Sequence, residues 1–411
     1  MPDGQVFPQS AFSLQWCMPA RDPILGSADA SESPTTQYRA SVHRYTGEVV
    51  YIYTFDIAYE MVRQPITTLM GQSVSQFAVD VSKRSPRSPF FYRSQTVALP
   101  GVERMSPRGL LRLQRSVKIL PVGAISITLR IPFEVDSLGD LVPYHDLKLS
   151  DGRRIHDEAR DLAEQVRKEL APYLIRPVAT LGDEEAYTVF CFDAPLIAID
   201  GQMISGADWL LAHRRGIAAL LTEETAPENL SDQEAEESTN RYLSYYEKDL
   251  VVVDWDAAII IDEPRFRDEV LYIMELANIQ LAELESYDAL LDAAVERSYR
   301  DVADQRFRRF TGHGVQRSLQ ELRIDMARLS DELSNITKFF GDWHLARIFQ
   351  LLSDRFHLGD WHRTTDEKLK TLDELYQLLR ADQNNRLMLI LEATVVVIFV
   401  IDVLLLVFHK I

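Results

Sequence analysis

The last 25 residues of the chain are almost entirely apolar. Residues 387–408 read LMLILEATVVVIFVIDVLLLVF and contain no Lys, Arg, Gly or Pro. At about 1.5 Å per residue, a helix of this length measures roughly 33 Å, enough to cross a hydrocarbon core of about 30 Å. The pattern therefore predicts one C-terminal transmembrane helix at 387–408. The alternative interpretation is a buried C-terminal helix of a soluble domain.

Two acidic residues interrupt the apolar run. Glu392 and Asp402 are ten residues apart, which places them on one helical stripe together with Phe399. A carboxylate near the middle of a bilayer is costly, and six apolar residues still follow Asp402. If the run is an anchor, we expect this stripe to face another helix, water or a membrane-protein partner.

Helical periodicity extends through residues 263–386. Pro264 lies at a typical helix start, and Gly312-His313-Gly314 breaks the first helical pattern. The pattern that follows steps by four and three residues in strict alternation, which is typical of a coiled coil. The predicted seam is Val315, Leu319, Leu322, Met326, Leu329, Leu333, Ile336 and Phe340. We predict an antiparallel helical coiled-coil stalk over 263–386 that continues into the transmembrane helix, and self-association through that seam.

The preceding part of the chain alternates short β-rich runs with helical ones. Strands are predicted, from their β-branched and aromatic content, over 48–55, 124–133, 187–192 and 250–261, and helices over 157–174 and 206–221. Residues 41–262 are thus interpreted as a mixed α/β layer domain whose connectivity the pattern leaves open. Residues 1–40 are rich in Pro, Ser and Gln and are interpreted as a loosely ordered arm. The overall fold class predicted is α+β.

Composition and charge limit the kinds of partner that the protein can bind. The 411 residues carry a net charge of −18, which disfavours whole-surface binding to nucleic acid or anionic lipid. Two cysteines are too few for a disulfide framework or a thiolate metal site, and no secretory signal precedes the domain. Arg380 and Arg386 lie before the apolar run and Lys410 after it, which predicts that the body faces the cytoplasm.

Two local charge patterns run along the domain. Residues 222–240 hold seven acids without a Lys or Arg, and indicate either a solvated loop or a docking face for a basic partner. Residues 83–118 are basic, with Phe90, Phe91 and Tyr92 among them. They form a dispersed solvated surface, a contact for lipid head groups, or one for RNA or another polyanion. The candidate contact residues are Lys83, Arg84, Arg87, Arg93, Arg108, Arg112 and Arg115.

Motifs that would carry catalysis are missing from the sequence. It has no phosphate-binding Gly-rich loop, no dinucleotide fingerprint, no His-Glu-x-x-His and no Gly-x-Ser-x-Gly. His344, His357 and His362 are interpreted as polar positions on helices rather than as metal ligands. We therefore predict no catalytic residue, no metal and no cofactor.

Three short segments carry a resemblance to a known family. They are Leu391-Glu392 followed by an acid at Asp402, Leu375-Tyr376 beside an acid, and the Tyr-Tyr-x-x-Asp-Leu-Val-Val pattern at 245–252. In these features residues 185–411 resemble the "required for meiotic nuclear division" family of membrane proteins, although Asp402 replaces the more usual Glu. The resemblance implies a membrane-tethered, non-enzymatic assembly role. It brings no catalytic residues, and it implies the mitochondrial inner membrane as an alternative to the bacterial inner membrane.

Three classes of function follow. The first is a single-pass scaffold or tethering protein that binds membrane lipid, forms a homo-oligomer through its stalk, and contacts a membrane protein through its anchor. The second is an oligomeric ion channel of CorA-like architecture, although the Gly-Met-Asn tripeptide and second span of such channels are missing. The third is a membrane-tethered enzyme with an unrecognised site.

Overall fold

A large β-sheet forms the centre of the N-terminal half. The computed structural model describes residues 44–62, 64–76, 94–303 and 343–408, together with residues 42 and 324. The strands are β1 Tyr45–Asp56, β2 Ala58–Met61, β3 Thr68–Leu69, β4 Gln72–Ser73, β5 Ser75–Gln76, β6 Gln95–Ser106, β7 Gly109–Ile119, β8 Ala124–Val135, β9 Leu174–Pro177, β10 Glu185–Asp193, β11 Tyr242–Leu243, β12 Leu250–Val253 and β13 Ala257–Asp262. The helices are α1 Ile155–Leu170, α2 Gly206–Leu221, α3 Asp232–Glu237, α4 Pro264–Ala303, α5 Trp343–Arg355 and α6 Leu358–Phe408. Short 3-10 turns lie at Leu138–Asp140, Val142–Tyr144, Ala171–Tyr173 and Pro227–Asn229.

Nine of these strands form one sheet, in the order β11-β12-β13-β10-β1-β8-β7-β6-β5. The pairing of β10 with β13 is parallel, and the other pairings within the sheet are antiparallel. Two small two-stranded sheets, β2-β9 and β3-β4, accompany it. The mixed α/β character predicted from the sequence is confirmed.

Alternating side chains of β1 divide the interior into two layers. Val49 and Tyr51 belong to the core cluster that includes apolar side chains of α1 and α2. Val50 and Ile52 belong to a second cluster on the opposite face, with side chains of α4 and α5. Because successive residues of a strand point to opposite faces, this central strand is buried on both sides. The result is a three-layer arrangement with helices above and below the sheet.

Two parts of the sheet differ from the sequence prediction. The predicted strand over 250–261 is instead an antiparallel pair, β12 and β13, joined by a turn at residues 254–256. The hydroxyl of Tyr187 donates to the carbonyls of Asp254 and Ala257, at 3.0 and 3.1 Å, and thereby fixes that turn. The long β6–β7 hairpin was not predicted, because several charged residues lie within its alternating pattern.

The C-terminal helices leave the sheet together. Leu358 lies in the core cluster that contains Leu284, whereas Leu372 lies in a cluster with Leu291, further along both helices. Contacts therefore advance in the same direction along α4 and α6, which pack in parallel. The seam predicted over 315–340 lies outside the described residues. The structure therefore contains a group of C-terminal helices, and the coiled-coil stalk stays a prediction.

Candidate functional site

The two ends of the sheet can be distinguished by strand register. At the end that we call distal, Gly47 of β1 lies opposite Phe192, and Asp193 pairs with Asp262 just before α4 begins. At the end that we call proximal, Thr54 lies opposite Glu185. Helix α4 runs from the distal to the proximal end and continues beyond it beside α6.

An exposed apolar segment forms the last part of α6. Residues Met388–Leu405 are long and apolar enough to cross a membrane, and none of them is buried against the described part of the protein. The segment belongs to the same continuous helix that begins at Leu358 beside the sheet. Thirty residues of helix separate Leu358 from Met388, so at about 1.5 Å per residue the apolar segment begins roughly 45 Å from the sheet.

The predicted polar stripe lies within this segment. Glu392, Phe399 and Asp402 are all exposed, and 68% of the Phe399 surface is accessible. Their spacing on a regular helix places them on the same side. They have no contact with the sheet or with its helices among the described residues, so whatever the stripe faces comes from outside this arrangement.

Beyond the proximal end, α4 and α6 are joined by packing and by charge. Leu291, Leu369 and Leu372 form a small buried cluster between the two helices. Beside it, Lys368 Nζ lies 2.7 Å from Asp288 Oδ1 and 2.6 Å from Asp292 Oδ1. Apolar packing supplies most of the stability of such a contact, and the partly exposed charges fix its register.

A buried ion pair fixes the origin of α6 at the proximal end. The Arg355 guanidinium contacts the carboxylate of Asp254, and the side chains are 8% and 5% exposed. Arg355 also lies 3.3 Å from Glu237 and 5.5 Å above the ring of Trp255. The Trp255 ring in turn stacks on His357, at 5.2 Å between centroids. The β12–β13 turn therefore holds the α5–α6 junction.

A pocket of about 180 Å³ opens between the sheet and α4. Its floor consists of Val50 and Ile52 of β1, and Leu271 of α4 adds a third apolar group. Three hydroxyl side chains from adjacent strands line it: Thr96 of β6, Ser116 of β7 and Thr128 of β8. Ser116 and Thr128 are directly opposite each other in the ladder. On this face of the sheet, β1 carries apolar side chains, whereas β6, β7 and β8 carry the polar side chains that line the pocket.

Charged groups complete the wall of this pocket. Lys118 forms an ion pair with Glu275 and lies 5.1 Å above the ring of Tyr272. Arg130 Nη2 lies 2.7 Å from Asp268, and its Nη1 lies 3.3 Å from Glu48. The lining thus holds two cations and two acids, each cation already paired with a carboxylate. Glu275 is 2% exposed, and its Oε1 has no hydrogen-bond partner among the described residues.

A cluster of carboxyl groups lies at the proximal end, where α4 crosses the end of β1. Burial, together with a hydrogen bond and charge repulsion from Glu285, raises the pKa of Glu185 far above its usual range. Burial also raises the pKa of Asp56 to about 6, against a hydrogen bond from Ser286 that lowers it. These groups hold protons at pH values where exposed carboxyl groups are ionised.

The basic residues singled out from the sequence are not gathered into one patch. Arg112 and Arg115 alternate between the two faces of β7. Arg112 pairs with Glu103 at 3.4 Å, and Arg115 donates to the Pro100 carbonyl. Arg108, at the distal tip, donates to the Asp140 carbonyl at 2.7 Å. Lys83, Arg84, Arg87 and Arg93 lie outside the described residues.

The three histidines singled out from the sequence are spread along the C-terminal region: His344 is on α5 and His362 on α6, whereas His357 lies in the turn between these helices and not on a helix as predicted. His344 packs against the ring of Tyr245, and His357 forms a hydrogen bond with Asp360 at 3.1 Å. His362 lies 3.8 Å from Asp366. Within the described residues they converge on no group of three or more metal-binding side chains. Part of the acidic run forms α3, where Asp232 pairs with Arg215.

Together these features define a class of protein, a mixed α/β sheet body connected to an exposed apolar C-terminal helix. The chain belongs to the family described as "Uncharacterized protein MJ0711, N-terminal domain", which matches residues 46–267. It is 24% identical over 221 residues to "Uncharacterized protein MJ0711" of Methanocaldococcus jannaschii. That alignment covers 54% of this chain and 65% of the relative. No solved structure matches the chain.

The family match corrects one sequence interpretation. Membership of the "required for meiotic nuclear division" family is wrong, because the matching family and the archaeal relative both belong to the MJ0711 group. The apolar spacing around Leu391, Glu392 and Asp402 is a general property of amphipathic and membrane-spanning helices, and so it carried little family information. The match instead covers the sheet, where the sequence interpretation had found no resemblance before residue 185.

The pocket was missed by the sequence interpretation. Its residues come from β1, β6, β7, β8 and α4, and Lys118 and Glu275 are 157 positions apart. One usable signal was present in β7, where apolar Leu111 and Leu113 alternate with Arg112 and Gln114. That period of two indicates a strand with one polar face.

Proposed function

We propose that this protein is a membrane-anchored, non-enzymatic scaffold whose apolar segment crosses a bilayer and whose sheet body is held away from the surface. The observation that carries the proposal is the complete exposure of Met388–Leu405 at the end of a helix continuous with the body. Soluble proteins rarely expose contiguous apolar patches beyond about 600 Å². A bilayer matches the length of the segment and its apolar surface outside the stripe of Glu392 and Asp402.

The paired helices supply the spacer. We propose that α4 and α6 form the base of a stalk, joined by the Leu291–Leu372 packing and by Lys368 with its two aspartates. The seam from Val315 to Phe340 would add an antiparallel helix to this pair and offer a surface for a second copy of the chain. We therefore propose that the chain forms a homo-oligomer through this surface.

The polar stripe supplies partner choice inside the membrane. Within the predicted span 387–408, five residues precede Glu392, which can therefore reach the head groups, whereas six apolar residues follow Asp402 and place it deeper. A second copy, or another membrane protein, would compensate for that carboxyl group. Arg380 and Arg386 before the segment, against Lys410 after it, favour a cytoplasmic body.

Membrane extraction tests the anchor. Two arginines in the apolar segment, Val396→Arg and Val400→Arg, each cost about 2.5–3.5 kcal/mol of insertion free energy. We expect the double variant, and a chain lacking residues 387–411, to appear in the soluble fraction after carbonate extraction. The unaltered chain should stay with the membranes.

A matched variant separates insertion from charge alone. Glu374→Arg with Gln377→Arg adds two arginines to exposed positions of the same helix, before the apolar segment. This control should stay with the membranes and keep the circular dichroism spectrum of the unaltered protein. Retention of the double variant or of the truncated chain on carbonate-washed membranes would reject the anchor.

Sedimentation of the detergent-extracted protein tests the scaffold. The unaltered chain, extracted in a mild nonionic detergent, should sediment as an oligomer or carry a stoichiometric membrane protein with it. A strictly monomeric chain without a companion protein would leave the anchor without the proposed scaffold role.

A further inference from the structure

The pocket between the sheet and α4 has the features of a binding site for a small molecule. It is formed by residues of four adjacent strands and of α4, and none of these residues belongs to the apolar segment or to the α4–α6 contact around Leu291 and Leu372. Hydroxyl groups of Thr96, Ser116 and Thr128 line it from three neighbouring strands. In an antiparallel sheet such neighbours are close enough to bind one ligand together.

The charges in the lining limit the ligand to a neutral one. The charges of Lys118 and Arg130 balance those of Glu275 and Asp268. An anionic ligand would therefore be repelled by the two acids, and a cationic ligand by the two basic residues. A zwitterion would need a free cation for its carboxylate, but both cations are already held in ion pairs. Displacing a partly buried ion pair leaves an uncompensated charge, which is costly.

The reachable groups of the lining indicate what the ligand carries. Glu275 uses Oε2 for Lys118, and the side chain is almost fully buried, so the strand hydroxyls are the uncharged polar groups of the pocket. A ligand hydroxyl can both donate to and accept from such a group. Val50, Ile52 and Leu271 line the same pocket with apolar groups.

We propose that this pocket binds a small, uncharged polyhydroxy compound, such as a monosaccharide or a cyclic polyol. The hydroxyls of the compound would exchange hydrogen bonds with Thr96, Ser116 and Thr128. The carbon skeleton would lie on the side of the pocket lined by Val50, Ile52 and Leu271. The combination of three strand hydroxyls with apolar groups beside them serves no purpose that the anchor or the stalk requires.

Saturation-transfer NMR tests the proposal on the full chain in polyoxyethylene detergent micelles, which contain no sugar. The probes are myo-inositol and glucose, with glycine as the zwitterion and inorganic phosphate as the anion. We expect saturation transfer to a polyol, with a Kd of about 1 mM as is ordinary for a small weakly bound ligand. Glycine and phosphate should show none.

Variants locate the binding. Ser116→Ala with Thr128→Val, and separately Thr96→Val, remove hydroxyls with little change of shape and should weaken polyol binding at least about tenfold. Thr188→Val is the matched control, because Thr188 lies on a strand of the same sheet but on its opposite face. It should bind as the unaltered chain does.

Three results would overturn the proposal. They are no transfer to either polyol, transfer that is unchanged in the folded Ser116 and Thr128 double variant and in Thr96→Val, and transfer to glycine or phosphate in place of the polyols. Circular dichroism of each variant establishes that the sheet is intact. The anchor experiments have separate readouts, so failure here leaves the membrane proposal standing.

Discussion

Replacing Arg355 with Met should strongly destabilise the protein. The Arg355 and Asp254 side chains are 8% and 5% exposed, so their ion pair lies in the interior rather than at the surface. Removing the guanidinium leaves the Asp254 carboxylate buried without its cation, which costs about 3–5 kcal/mol, whereas exposed pairs contribute about 0–1 kcal/mol. Glu237 is 56% exposed and adds little. We therefore expect a loss of about 3–5 kcal/mol in the free energy of unfolding.

Urea unfolding of the full chain in nonionic micelles, followed by tryptophan fluorescence, measures this loss. The Trp255 ring lies 5.5 Å from the guanidinium, so its emission should change in the folded variant as well. The urea midpoint should fall by at least about 1 M. Arg300→Met is the matched control, because Arg300 and Glu296 form a pair on α4 with side chains 74% and 63% exposed. Its effect should stay below about 0.5 kcal/mol.

A double variant tests the reasoning behind that magnitude. Adding Asp254→Asn to Arg355→Met removes the uncompensated charge but keeps the oxygen that accepts the Trp255 amide hydrogen bond, at 2.8 Å. Most of the lost stability should return, because the penalty lies in the isolated carboxylate. A loss under about 1 kcal/mol for the single variant, or no recovery in the double one, would refute the idea that the buried ion pair holds the α5–α6 junction.

Four further substitutions test other parts of the structure. Leu372→Ala, at a fully buried position between α4 and α6, should cost about 2–5 kcal/mol in urea unfolding. Glu185→Gln should flatten the pH dependence of stability: burial and Glu285 raise the pKa of Glu185, so the unaltered protein loses stability as pH rises above the ordinary value of 4.5. Gly123→Ala should destabilise by more than about 1 kcal/mol, because φ is +99° and a Cβ would lie 1.8 Å from the Ala58 carbonyl. Asp402→Leu should insert at least as well as the unaltered chain but lose its oligomer or its membrane partner in sedimentation.

Each of these has an outcome that counts against it. For Leu372→Ala the control is Glu374→Ala, at an exposed position about half a turn away, which should change stability by less than about 0.5 kcal/mol. Equal losses for the two variants would contradict the packing of Leu372 between α4 and α6. A Glu185→Gln variant with an unchanged pH profile would place the proton elsewhere. Gly123→Ala with the midpoint of the unaltered chain would contradict the close approach. Unchanged assembly of Asp402→Leu would leave the stalk as the remaining recognition surface.

Regular elements with strong local signals could be predicted from the sequence. Helix α2 occupies 206–221 as predicted, because the Ser205 hydroxyl caps its start and its apolar positions recur at helical spacing. The continuity of α6 into the apolar segment was predicted from the lack of a breaker. Local apolar character was misleading over 250–261, where one strongly apolar run contains a tight turn and forms two strands.

Features that depend on distant residues could not be predicted. Asn278 of α4 donates to Thr54 of β1 at 3.1 Å across 224 positions, and no local pattern announces such a contact. The pocket depends on the same kind of pairing. Sheet order, with its single parallel neighbour β10–β13 among the described strands, also depends on tertiary packing that periodicity does not encode.

The length of α6 between the body and the apolar segment has an electrostatic consequence. The chain carries a net charge of −18, and anionic lipid would repel it at short range. Charges are screened over about 8 Å at physiological ionic strength, several times less than the roughly 45 Å that separates Leu358 from Met388. With the apolar segment in a bilayer, the sheet would lie outside the field of the lipid surface. Under the proposed attachment, charge on the sheet could then select or repel soluble partners without weakening binding to the membrane.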